Sequence, residues 1–187
     1  MSVSANLLAV KQLIREAEKK SKRKPNAVRL IAVSKRQSVE SIQEAINCGQ
    51  LDFAENYVQE AVGKIAHFRD SALVWHFIGR IQKNKTALIA QHFNWVHSLS
   101  DIDHALRLNE ARASLDSPLN VCIQVNVDSD PDKSGVAVDD VSPLVNAIEV
   151  LPHLDFQGLM CMTRETSDIV LKRRVYQKLS LIMQHER

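Results

Sequence analysis

Lys35 is the residue of this chain best suited to covalent chemistry. It follows a short, mostly apolar and β-branched run, VRLIAVS at positions 28–34, which reads as a buried strand. A lysine leaving such a dry wall has its charged form disfavoured by desolvation. A neutral amine is what attacks an aldehyde to form a Schiff base. A solvated lysine at a strand end fits the same pattern, and the residues alone leave both readings open.

Other polar groups stand at the ends of apolar runs. FAENYVQE (53–60) offers Glu55 and Asn56, and Asn56 also suits the cap of a following helix. WHFIGRIQKNK (75–85) puts His76 inside an apolar run, where it suits a ligand contact or a satisfied interior group. Arg80, Lys83 and Lys85 after it form a basic cluster able to meet a phosphate or to sit exposed at a helix start. QVNVDSDPDKSG (124–135) imitates the opening of a calcium loop at Asp128, Asp130 and Asp132. Lys133 stands where that loop needs glycine, and no closing Glu follows, so a polar loop is the better reading. FQGLMCM (156–162) brings Gly158 and Met160 to the end of the last run, with Met160 as a packing residue.

These positions require a particular scaffold. Residues 6–22 have the apolar spacing of an amphipathic helix, stopped by Pro25 after a basic stretch that suits a helix C-terminus. Strands are expected at 28–34, 51–54, 73–79, 95–99, 119–127 and 154–162. Helices are expected between and after them at 38–48, 56–68, 84–92, 101–113, 139–151 and 168–185. Six strand–helix pairs behind a leading helix imply a parallel sheet covered by helices. No G-x-G-x-x-G or G-x-x-x-x-G-K run occurs, which favours a (β/α)8 TIM-type barrel over a doubly wound sheet. A whole barrel needs about 250 residues. The expectation is therefore a single domain over 1–187 that supplies about six units and lacks the last two.

Bulk properties narrow the function classes. The 187 residues are 45% hydrophobic and 25% charged with net charge +2, which gives no argument for a nucleic-acid or membrane partner. Cys48, Cys122 and Cys161 are odd in number and form no C-x-x-C pair, so a disulfide framework or zinc site is not expected and a cytoplasmic location is. No H-E-x-x-H or G-x-S-x-G run is present.

Taken in order, the runs LIAVSK, FAENYVQE, WHFIGRIQKNK, QVNVDSDPDKSG and GLMCM closely resemble those of the pyridoxal phosphate homeostasis proteins, from Leu30 to Met162. The resemblance implies a barrel related to the N-terminal domain of alanine racemase. It also implies pyridoxal 5'-phosphate (PLP) as cofactor and a carrier or regulatory role in vitamin B6 pools, without catalytic turnover. It implies that Lys35 carries the Schiff base, that Asn56 and His76 stand beside the cofactor, and that Met160 lines the pocket. Partners would be PLP and PLP-dependent enzymes, and a monomer is expected. The second motif usually has glycine where this chain has Ala54; a methyl group fits there if the backbone is ordinary β. The family's SLGMS-type and VRIG-type segments, which cradle the phosphate and face the pyridine nitrogen, have no counterpart in these residues, which implies weaker PLP binding. Two other functions compete. One is a racemase or decarboxylase, which needs a second acid/base where only Tyr57 and Tyr176 offer a phenol. The other is a degenerate fragment that no longer binds PLP.

Overall fold

The computed structural model describes residues 2–163 and 165–186. Its strands are β1 (Ala32–Val33), β2 (Asp52–Glu55), β3 (Val74–Phe77), β4 (Trp95–Leu99), β5 (Leu119–Gln124) and β6 (Leu154–Met160). Its helices are α1 (Val3–Lys20), α2 (Val39–Asn47), α3 (Val58–His67), α4 (Thr86–His92), α5 (Ile102–Arg112), α6 (Val141–Glu149) and α7 (Ile169–His185). The strands form one sheet in chain order, β1-β2-β3-β4-β5-β6. The pairs β1–β2, β4–β5 and β5–β6 are parallel. All six expected strand–helix pairs are present. The chain divides into two compact units, Met1–His76 and Phe77–Arg187.

In the first unit, α2 starts where Ser38 accepts the amide of Ser41, which satisfies one of the helix's free donors. Its apolar positions, Ile42 and Ala45, are buried, as are Phe53 of β2 and Val58 and Ala61 of α3. Phe53 packs against Trp75 of β3 with ring centroids 5.7 Å apart. The expected strand 28–34 shrinks to two residues because its backbone groups are satisfied elsewhere. The amide of Val28 donates to Glu18 at 2.8 Å, and the carbonyl of Leu30 accepts the Gln50 side chain at 2.8 Å.

In the second unit, Asp101 caps α5 through the amide of Asp103, and Asp168 caps α7 through the amides of Val170 and Leu171. Phe77 and Phe93 meet edge-on at 5.3 Å. Arg112 is buried, with its guanidinium on the carbonyls of Ala90, Phe93 and Ser117, which ties α5 to the end of α4. The expected strand 119–127 ends at Gln124. Beyond it the chain turns back on itself, with Asn126 N donating to Val136 O and Val136 N to Gln124 O. Among the described residues, no helix is long and apolar enough to cross a membrane.

Candidate functional site

The site is anchored by the pairing of β1 with β2. Ala32 lies beside Phe53 and Val33 beside Ala54, and the ladder continues as Ser34 N donates to Ala54 O at 2.9 Å. Lys35 and Asn56 therefore leave neighbouring strands at their C-terminal ends. This is the edge at which parallel α/β sheets place their chemistry. Ala54 is buried within β2 and is absent from the positive-φ positions, so the backbone there is ordinary β and the methyl group is accommodated.

Lys35 is exposed and lies in a turn immediately after Ser34. Among the described residues no acceptor holds its ammonium, whereas Lys64, Lys83, Lys133 and Lys178 are each engaged. The dry wall expected behind Lys35 is a polar one. Ser34 is buried, its hydroxyl donates to Glu55 Oε1 at 2.7 Å, and Lys64 Nζ reaches the Ser34 carbonyl at 2.7 Å.

Asn56 does not cap α3. That helix begins at Val58, with Tyr57 at the cap position and no side-chain bond there. Asn56 Oδ1 is instead buried without a hydrogen-bond partner among the described residues. An amide end buried and unpaired costs about 1–3 kcal/mol unless a polar group meets it. A polar ligand in front of Lys35 would remove that cost, so the residues present fit a small polar cofactor.

His76 is 1% exposed, and its Nε2 lies 3.0 Å from Asp52 Oδ1, which also takes Arg29 at 2.6 Å. Asp52 opens β2, four residues before Asn56, so this bond points toward the opposite end of the strand. Burial pushes the His76 pKa below its ordinary 6.5, only partly opposed by Asp52. The folded state thus keeps His76 neutral while the unfolded chain protonates near pH 6.5. The unfolded state then binds more protons, so stability falls as pH drops below about 6.5. The expected slope from this group is at most about 1.4 kcal/mol per pH unit. Unfolding His76→Gln in denaturant across pH 5–7 should give a flatter profile than the unaltered chain. An identical slope would remove His76 as the cause.

Met160 ends β6 in the second unit. It is half-buried, and its carbonyl accepts the amide of Val125 at 2.8 Å. Arg80 is exposed, and Lys83 pairs with Asp103 at 3.2 Å, with both side chains 58% exposed. Such a pair contributes little to stability. In the loop after β5, Asn126 Oδ1 accepts the amide of Asp130, and Asp130 accepts that of Asp132. The Asp130 carboxylate thus serves the loop's own turn. Residues missed from the sequence are Glu60 and Lys64. The signal was available: Lys64 falls on the apolar stripe of α3 with Val58, Ala61 and Phe68, where a charge must have a partner.

The profile of the alanine racemase N-terminal domain matches residues 5–183. The pyridoxal phosphate homeostasis protein of Pasteurella multocida is 41% identical over 181 residues, which is 96% of this chain and 78% of that protein. This chain belongs to the pyridoxal phosphate homeostasis protein family. The Pseudomonas aeruginosa protein of the same name is 43% identical over 95% of this chain and 77% of its own length. Among solved structures, PipY of Synechococcus elongatus with PLP bound is 31% identical. It superposes with a TM-score of 0.79, covering 92% of this chain and 80% of PipY. Alanine racemase from Corynebacterium glutamicum, 17% identical with a TM-score of 0.61, shares the fold. This homeostasis-family chain therefore has the fold of the alanine racemase N-terminal domain, as the order of its motifs implied.

Proposed function

We propose that this chain binds PLP as a Schiff base on Lys35 and serves intracellular PLP homeostasis as a non-catalytic carrier or regulator. The observation that carries the reading is an exposed strand-end lysine beside the strand that ends in Asn56, whose Oδ1 is buried and unpartnered among the described residues, in a chain similar to a PipY structure that holds PLP. The cofactor supplies an aldehyde carbon, to which an amine bonds with loss of water. Lys35 would supply the amine, and the unpartnered Oδ1 of Asn56 would meet a polar group of the cofactor. His76 holds β3 against β2 below the site. A reducing cytoplasmic setting suits the free Cys48, Cys122 and Cys161.

The test loads the chain with one equivalent of PLP, records the absorbance band of a protonated Schiff base, reduces with borohydride and maps the labelled peptide. The label is expected on Lys35. Amino-acid racemisation or decarboxylation is expected to stay below about 1 s⁻¹, the low end of ordinary enzyme turnover. A label confined to other lysines would refute the site, and faster turnover would refute the non-catalytic role.

A further inference from the structure

One buried ammonium holds the backbone on both sides of Lys35. Lys64, on the core face of α3, donates to Ser34 O at 2.7 Å, Glu55 Oε1 at 2.8 Å and Glu60 Oε1 at 2.6 Å. The Ser34 hydroxyl donates to the same Glu55 oxygen at 2.7 Å. Glu60 Oε1 in turn accepts the amide of Arg36 at 2.6 Å. Arg36 has φ of 59°, a left-handed conformation that a non-glycine residue holds only when its surroundings impose it. So the carbonyl before Lys35 is fixed by Lys64 directly, and the amide after it is fixed through Glu60.

We infer that Lys64 is the positioning residue for Lys35: by fixing both flanking peptide units it sets the direction in which the Lys35 amine leaves the end of β1. The inference rests on Lys35 being the Schiff-base lysine. Stability alone does not account for the cluster. A buried ion pair is often no better than apolar residues of similar size, and here Glu55 Oε2 is left buried and unpartnered among the described residues. What the arrangement does achieve is geometric, since its bonds converge on the backbone of the turn. Burial alone would push the Lys64 pKa down, but the hydrogen bonds and charges of Glu55 and Glu60 together hold it above the ordinary lysine range. Lys64 therefore keeps its charge to higher pH than an ordinary lysine. The bond at stake forms when the neutral Lys35 amine attacks the aldehyde carbon of PLP. The carbonyl oxygen departs as water, taking both amine hydrogens, and a C=N bond remains.

The test compares Lys64→Met and Glu60→Gln with the unaltered chain, using two ligands. PLP can bond to Lys35. Pyridoxine 5'-phosphate, with an alcohol in place of the aldehyde, reads the rest of the site by calorimetry. Both variants are expected to lower the Schiff-base equilibrium with PLP by about tenfold, equivalent to about 1.4 kcal/mol. Binding of pyridoxine 5'-phosphate is expected to change by less than about twofold. Hydrogen exchange at the Arg36 amide, measured without ligand, is expected to accelerate in both. Glu60 is partly exposed, so Glu60→Gln decides the matter alone if Lys64→Met does not fold. Unchanged Schiff-base formation in a folded variant would overturn the inference, and so would equal weakening of both ligands. Lys35→Ala serves as the reference: a Schiff-base band persisting there would overturn the reading of Lys35 itself, whatever the Lys64 variants show.

Discussion

Lys35→Ala is expected to abolish covalent PLP binding while leaving the fold intact. The side chain is exposed and engages no acceptor among the described residues, so its removal disturbs no buried contact. Surface substitutions of that kind usually change stability by no more than about 0.5 kcal/mol. The Schiff-base absorbance should disappear and borohydride should label nothing at one equivalent of PLP. Thermal or denaturant unfolding without cofactor should match the unaltered chain. Lys35→Arg should behave the same way, because a guanidinium keeps its proton and cannot act as the amine nucleophile. This makes the pair a clean separation of charge from chemistry. A retained absorbance band in either variant would move the cofactor to another lysine.

The order of elements was legible because each signal is local. Short runs rich in apolar residues mark β2 to β6, and Ser38, Asp101 and Asp168 sit where helix caps belong. The ladder in 28–34 is shorter than its pattern suggests, because the pattern does not show that Glu18 and Gln50 take the hydrogen bonds a ladder would have used. The strand expected at 119–127 ends early because the turn at Asn126 depends on residues ten positions later. At the candidate site, the strand-end places of Lys35 and Asn56 could be read from the apolar runs before them. The place of Lys64 on the apolar stripe shows that it needs a partner but not which one, because Ser34, Glu55, Glu60 and Lys64 converge only once β1, β2 and α3 are packed. His76 shows the same limit. Its residue type and apolar setting were plain, but its Asp52 partner opens a different strand.

Gly135→Ala is expected to cost far more than its single added carbon suggests. The QVNVDSDPDKSG segment folds back over the end of β5: Asn126 N donates to Val136 O, Val136 N to Gln124 O, and Gln124 Nε2 to Ser134 O at 3.0 Å. At the closest point Gly135 has φ of 127°, and a Cβ there would lie 2.7 Å from Asn126 N and 2.8 Å from the Val125 carbonyl carbon. Both neighbours are backbone, so no side-chain rotation relieves the overlap. Backbone strain at such a φ costs about 1–3 kcal/mol. Displacing packed structure adds a similar amount. The sum, about 2–6 kcal/mol, is a large share of the roughly 5–15 kcal/mol that keeps a domain folded. Gly63 provides the contrast within the same chain. It lies in α3, exposed, and apart from its chain neighbours and the helix's own backbone no heavy atom lies within 4 Å of where a Cβ would stand. Gly63→Ala should therefore stabilise by roughly 0.5–1 kcal/mol, through helix propensity alone. Denaturant unfolding of the two variants should shift the midpoint in opposite directions, with the larger movement downward for Gly135→Ala. If Gly135→Ala unfolds within about 0.5 kcal/mol of the unaltered chain, the loop does not pack against the end of β5 as described.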